Sequence, residues 1–434
     1  MYTPVTPLLA ALLTLAAPPP PALQTAPVRS SGDNSVSEVG GKNLKQWLED
    51  LKNQDASVRE EAIRALVYFR QDWPRIIQPL VERLQHDTDS SPRVRAAIAL
   101  GMIDVPKGVE TSKVVQALSL RLLEDPQSIV RYYSAATLLN FGDDAREALA
   151  GLNKGAADPA TWEIRHACVI ALRAAGHDSQ GTPIKSAELA LLKALHDPTY
   201  QVRLEAIMTI GALGRPDDVQ LGLMIKQGLQ DRLVDRDPTV KIWAYTALMA
   251  LDETIDKKHL QAVSKFLKGS DKVNDKNNAM KVRLNAARAL GTLGDKARDA
   301  APALVEALDD KETQVVGTAA WALTRMGGLS GPSKGALLGL LKNPDPNMRA
   351  TGAQSLGLAG IKARAAVPAL TELVMDKTQR PVVVASGCWA LGEIGEPDAQ
   401  AVAALKAVSE RQDVDESLKE EAIKAIDKIH KIKR

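Results

Sequence analysis

The sequence predicts an all-α protein, a right-handed α-solenoid (superhelix) of about eleven stacked helix-pair repeats, and three observations predict it. A nine-residue apolar pattern recurs eleven times, at spacings of 33 to 42 residues. Turn residues recur with it, Asp-Pro before the pattern and Gly after it. Aromatic residues make up only 3% of the chain although 45% of it is hydrophobic. That balance suits thin layers of Ala, Val and Leu between helices rather than one thick core. A chain of 434 residues is also too long for a single compact core, whereas stacked repeats lengthen a core without thickening it.

The N-terminus differs in kind. Leu8 to Ala17 is an apolar run of ten residues, Pro18 to Pro21 close it, and a polar stretch rich in Ser, Gly and Asn follows to about Gly41. Ten residues are too few to cross a bilayer, which takes about 20. Residues 1–26 read as a secretory signal peptide or as a disordered Pro/Ala-rich tail. No Lys or Arg precedes the apolar run, and no small-x-small cleavage site stands out. Residues 27–41 read as a linker and 42–434 as the repeat array. The expectation is an exported protein, periplasmic or extracellular, with the cytoplasm as the alternative, and with no transmembrane segment.

The repeat is first met as V-R-x-x-A-x-x-A-L at Val58, Arg59, Ala62, Ala65 and Leu66. Its first position then falls at Val94, Val130, Ile164, Val202, Val240, Val282, Val315, Met348, Val383 and Leu418. Counting that position as 0, positions 0, 4, 7 and 8 lie within about 100° of each other on a helix and form one buried stripe. The small residues at 4 and 7 let neighbouring helices come close. Asp125-Pro126, Asp158-Pro159, Asp197-Pro198 and Asp237-Pro238 precede the stripe; Asp caps free amides at a helix start and Pro suits its first turn. A second apolar period lies upstream of each turn, as in Ile76 to Leu84, Leu304 to Leu308 and Leu370 to Val374. Gly142, Gly176, Gly214, Gly294, Gly327, Gly360 and Gly395 close the second helix. Each unit is therefore helix A, turn, helix B, turn.

Position 1 is Arg in seven repeats, Arg59, Arg95, Arg131, Arg165, Arg203, Arg283 and Arg349, Lys at 241 and 419, and Val at 316 and 384. These arginines are expected to be structural, reaching the preceding turn's Asp or a carbonyl of the adjacent repeat.

Units such as Val282-Arg283-Leu284-Asn285-Ala286-Ala287-Arg288-Ala289-Leu290-Gly291 resemble the HEAT-repeat family, in particular its short, Ala-rich branch grouped with phycobilisome-lyase-like repeats. The resemblance covers about residues 42 to 430. It implies the HEAT-like solenoid fold. It implies no single activity, because the family spans scaffolds, transport receptors, lyases and a few enzymes.

One implied alternative is a diiron hydroxylase or lyase-like activity, in which repeated His-Glu pairs hold the metal. None of His86, His166, His177, His196, His259 and His430 is followed by Glu, and ligands spread over distant repeats do not converge. No G-x-S-x-G, H-E-x-x-H, P-loop or dinucleotide fingerprint occurs. Glu60–Glu61 and Glu420–Glu421 read as solvated faces of terminal helices. No catalytic residue, metal or cofactor is therefore expected. Cys168 and Cys388 are the two cysteines, 220 residues apart in apolar helical contexts, which suits small buried side chains. A net charge of +2 gives no field that would attract nucleic acid.

What remains lies off the buried stripe. Positions 2, 6 and 9 point away from it. Position 6 reads Arg64, Leu100, Ala136, Ile170, Met208, Thr246, Arg288, Trp321, Gln354, Trp389 and Lys424. Trp321 and Trp389 are equivalent residues two repeats apart with Gln354 between them, and Tyr132 at position 2 adds an aromatic further along. Either these rings form an exposed partner-binding surface or they fold down as packing. Residues 257–298 hold eleven Lys and Arg against three Asp, among them Lys272, Lys276 and Arg288, either an anion-binding module or a solvated loop and helix face. The expected function is a non-catalytic, monomeric scaffold that binds a protein partner, not nucleic acid, on a concave helix-B surface through Trp321, Gln354, Trp389, Arg288, Tyr132, Lys272 and Lys276.

Overall fold

The computed structural model describes residues 28–29, 36–252, 254–269, 276–326 and 331–432. The chain divides into two compact units, Met1–Gly228 and Leu229–Arg434. Among the described residues the helices form eleven pairs. The A helices are α1 (Leu44–Asp50), α3 (Trp73–His86), α5 (Val109–Glu124), α7 (Leu149–Gly155), α9 (Lys185–Ala194), α11 (Val219–Asp231), α13 (Lys257–Lys265), α15 (Ala301–Glu306), α17 (Gly331–Leu340), α19 (Val367–Met375) and α21 (Ala399–Ser409). The B helices are α2 (Ala56–Leu66), α4 (Ser90–Met102), α6 (Ser128–Leu138), α8 (Trp162–Ala175), α10 (Tyr200–Leu213), α12 (Pro238–Leu251), α14 (Lys276–Leu293), α16 (Thr313–Arg325), α18 (Pro346–Leu358), α20 (Pro381–Ile394) and α22 (Glu416–Ile432). Within each unit, successive B helices pack side by side, and in the pairs that lie inside one unit the B helix packs on its A helix. No helix of the described residues is long and apolar enough to cross a membrane.

The turn chemistry places the helix starts. Asp55 accepts the Ser57 amide at 2.8 Å, Asp237 the amides of Thr239 and Val240 at 2.8 and 3.2 Å, and Asp345 that of Asn347 at 2.9 Å. Each satisfies amide donors that the helix itself leaves free. At the other end, Gly395 follows α20 in the left-handed region (φ 67°) and donates to Leu391 O at 3.1 Å, a conformation costly for any residue with a Cβ. Gly176 closes α8 without entering that region (φ −81°), and Gly327 lies outside the described residues.

The buried stripe fills the space between the layers. Ala62, Ala65 and Leu66 in α2, and Ala286, Ala289 and Leu290 in α14, are at most 1% exposed. Each buried Leu contributes roughly 1.5–3 kcal/mol, and no single pair could shield its own stripe.

The second repeat corrects the sequence register. The pattern begins at Pro92, not Val94, so that Arg93 takes position 1 and Ala96, Ala99 and Leu100 take positions 4, 7 and 8; all five lie in the buried face of α4. Arg95 is therefore not a frame arginine, and Leu100, placed outward at position 6, is fully buried. The sequence Pro-Arg-Val-Arg offers two overlapping V-R-like starts, and the nearer match to Val-Arg is the wrong one. The helix start decides, because Asp89 precedes α4 and sets Arg93 four residues on, as Asp55 sets Arg59.

Within the stretch 27–41 the described residues carry local structure. Val28–Arg29 pairs antiparallel with Val36–Glu38, and Val39 is fully buried. The Trp47 indole donates to Val39 O at 2.9 Å, while the Lys42 ammonium lies 4.5 Å from the Trp47 ring centroid and 2.8 Å from Asp50. Among the described residues no repeat precedes the first A helix, and this segment helps to cover Trp47.

Candidate functional site

Position 1 builds a ladder along the turns. The Arg59 guanidinium donates to both Asp87 oxygens at 2.8 and 2.7 Å, and to the carbonyls of Asn53 and Gln54 at 2.8 and 2.9 Å. Arg93 pairs with Asp125 at 2.7 and 2.9 Å and with Asp87 O at 2.9 Å. Arg131 reaches Asp158 at 2.9 Å, Arg165 reaches Asp197 at 2.6 Å, and Arg283 reaches Asp310 at 2.6 Å. Arg203 donates to the carbonyls of Asp197 and Pro198, both at 2.9 Å. Arg349 meets Gln379 at 2.9 Å where an Asp would stand. The direction differs from the expectation: the carbonyls belong to the arginine's own turn and the carboxylate to the following repeat. The Asp side chains are preset, since Asp87, Asp158 and Asp310 each accept the amide two residues on, at 3.0, 2.8 and 2.9 Å. Burial pushes the Asp87 carboxyl upward, but the hydrogen bonds from Arg59 and from the Asp89 amide outweigh it and hold the group below the usual carboxylate range. These forks join turn to turn, and their bonding groups are used up in doing so.

Arg95 has a different contact. It donates to Glu60 at 2.7 Å, and Ser91 and Arg64 also bond this carboxylate. Burial acts to raise the Glu60 carboxyl, and these donors overcome it, holding it at about 2. Glu60 is thus a linking residue rather than the solvated partner of Glu61.

The outward side of the B layer in the second unit carries Trp321 on α16, Gln354 on α18 and Trp389 on α20. Both indoles are half-buried, and each lies over a glycine of the preceding B helix. A Cβ added to Gly291 would fall 2.2 Å from the Trp321 ring, and one added to Gly357 would fall 2.5 Å from that of Trp389. Part of each ring therefore packs against the preceding helix, while the residue as a whole stays half-buried. Neither indole N–H donates to a protein acceptor among the described residues. Gln354 is exposed and its amide donates to Ser386 Oγ at 3.1 Å. Arg288 is exposed one repeat before Trp321 and has no ion-pair partner among the described residues.

Three neighbours escaped the sequence reading. Arg325 and Leu358 stand at position 10 and Val382 one residue before the start of its pattern; Arg325 is exposed, and Leu358 and Val382 are 60% and 51% exposed. Positions 10 and −1 lie within about 40° of position 6 on a helical wheel, and extending the outward set by that angle would have found them.

Tyr132 belongs to the first unit, so it is no part of this group. It is half-buried and sits edge-on to Tyr133, ring centroids 5.2 Å apart. Trp162 and His166, 5.9 Å apart, lie in the same unit. Lys272 and the side chain of Lys276 lie outside the described residues. The basic stretch is dispersed. Lys257, Lys268, Arg283 and Arg298 pair with Asp299, Glu306, Asp310 and Asp295 at 3.9, 3.0, 2.6 and 3.1 Å. The cleft of about 510 Å³ beside it is lined by Glu306, Asp309 and Asp310 as well as Lys268, Arg283 and Lys311, so acids and bases alternate around it.

Among the described residues no three His, Cys, Asp or Glu side chains gather as a metal site. His177 meets Leu213 O at 3.2 Å, and the His259 ring lies tilted against Tyr245, centroids 5.2 Å apart. Both cysteines are buried free thiols, and burial pushes Cys388 up to about 12 and Cys168 higher still.

Stacked helix pairs joined by an Arg–Asp turn ladder define an α-solenoid protein. The family model for HEAT repeats matches residues 42–131, 77–173, 188–274, 273–338 and 333–427, and the chain belongs to the HEAT-repeat family. None of the curated proteins compared with it matches. Among solved structures, yeast importin-β aligns with 89% of this chain and 56% of its own, at 12% identity and a TM-score of 0.52. A second importin-β aligns with 89% and 57%, at 15% identity and a TM-score of 0.43, and an engineered protein with 89% and 98%, at 19% and 0.38. The chain spans little more than half the length of these importins. At such identities the likeness is one of fold.

Proposed function

We propose that this protein is a non-catalytic scaffold that binds a partner protein on the outward surface of its B helices, centred in the second unit on Trp321, Gln354 and Trp389. The observation that carries the reading is the repeated indole. Each ring rests against a glycine of the preceding B helix and is half-buried, and its N–H has no acceptor among the described residues. A rigid aromatic loses little freedom when a partner covers it, which is why such side chains dominate binding energy at interfaces. Membership of the HEAT-repeat family supports a scaffold in general terms. The frame arginines are positioning residues of the solenoid, occupied by turn contacts and not available to a ligand.

The reading includes export, carried by the run Leu8 to Ala17, which lies outside the described residues.

Site-specific photocrosslinking from position 354, in the full chain in its native host, tests the surface. A protein crosslinked there, and lost when Val382→Glu is added to a chain of unchanged melting temperature, supports the reading. A partner that crosslinks equally from the A-helix side, and is indifferent to Val382→Glu, overturns it.

A further inference from the structure

The outward face of the second unit is not uniform along the stack, and its gradient says what kind of segment it fits. At one end, on α14 and α16, Arg288 and Arg325 are exposed guanidiniums with no acidic partner among the described residues. This is unlike the frame arginines Arg59, Arg93, Arg131, Arg165 and Arg283, each held by a carboxylate. At the other end, on α18 and α20, Leu358, Val382 and Trp389 form an apolar surface. Glu393, on α20, is bonded to Lys428, so its charge is compensated. Gln354 sits between the two, with its amide donating to Ser386 and its carbonyl oxygen free to accept.

We infer that this face takes an extended polypeptide segment of the partner that is acidic at one end and carries a large apolar side chain at the other. The inference rests on the scaffold reading above and adds the chemistry and polarity of the bound segment. Uncompensated guanidiniums on adjacent helices repel one another, and a carboxylate between them removes that repulsion while forming charge-assisted, forked hydrogen bonds. The apolar end buries surface in proportion to area. Length follows from spacing. Packed helices lie about 8–10 Å apart, so three steps from α14 to α20 span roughly 24–30 Å. An extended chain rises about 3.3 Å per residue, so roughly eight or nine residues bridge the span. A helical segment would need about twice as many, at 1.5 Å each.

The test is selection of random dodecapeptides displayed on phage against the full-length protein, repeated on Arg288→Glu/Arg325→Glu and on Leu358→Glu/Val382→Glu. All four positions are exposed, so both double variants keep the native fold, which melting temperature checks. Wild type should enrich peptides with Asp or Glu at one end and Leu, Phe or Trp about eight residues away. The charge-reversed variant should lose the acidic preference and bind those peptides about fivefold or more weakly for each charge changed, an effect that shrinks with added salt. The apolar-end variant should lose the bulky residue while keeping the acidic one. Peptides that enrich without an acidic end, yet are lost on Leu358→Glu/Val382→Glu, overturn this inference and leave the scaffold reading standing. Enriched peptides that bind both variants as they bind wild type overturn both.

Discussion

Two arginines two residues apart on α4 show how much a single position decides. Arg93 is 8% exposed, and its partner Asp125 is fully buried; Arg95 is 26% exposed and meets Glu60 at the surface of the layer. Removing one member of a buried pair strands the other charge, which costs about 3–5 kcal/mol. Losing a partly exposed pair costs about 1 kcal/mol or less. Arg93→Ala is therefore expected to lower the urea midpoint severalfold more than Arg95→Ala, and equal effects would contradict the assignment of Arg93 to the ladder. Glu60 gives a pH signature. Its carboxyl is held at about 2 in the folded chain against 4.5 ordinarily, so the folded state binds this proton less readily than the unfolded one. The stabilisation is complete above about pH 4.5 and fades as pH falls toward 2. Thermal scans of wild type and Glu60→Gln should differ at neutral pH and converge in acid.

At the scale of the helix, approach distance matters more than propensity. Gly291 and Gly357 are poor helix formers in the last turns of α14 and α18, and each makes room for an indole of the next B helix. A methyl group in either place would overlap the ring, and overpacking of this kind costs about 1–3 kcal/mol. Outside such a contact, Gly→Ala in a helix stabilises by up to about 1 kcal/mol. Gly291→Ala should therefore destabilise the protein in chemical denaturation, and Gly291→Ala combined with Trp321→Leu should restore part of the loss. If Gly291→Ala stabilises, the ring does not rest there.

For the molecule as a whole, a repeat array is held by neighbour contacts, with few interactions between distant elements. Of the ladder bonds described, each joins one turn to the next. A break should then be felt locally. Hydrogen exchange on Arg165→Ala should show faster exchange in α8, α9 and α10, with the α18–α22 amides unchanged. Uniform loss of protection along the chain would mean that the array folds as a single cooperative block.

The sequence by itself determined the repeat, its phase in all but one unit, the A–B alternation, the turn caps and the structural use of most position-1 arginines. All of these are local or nearest-neighbour properties, encoded in spacings of 3.6 and of about 35 residues. It also marked Trp321, Gln354 and Trp389 as equivalent outward positions. Tertiary structure decided the rest. It showed that Arg93 and not Arg95 enters the ladder, because helix start and not pattern similarity fixes register. It folded part of the apparent linker against Trp47, where no repeat among the described residues precedes the first A helix. It paired four of the basic residues of 257–298 with acids from the same stretch or the next repeat, and left Arg288 and Arg325 with no acidic partner among the described residues. Whether a charge is free is a property of what lies across the gap between repeats, and that neighbour is some thirty residues away in the chain.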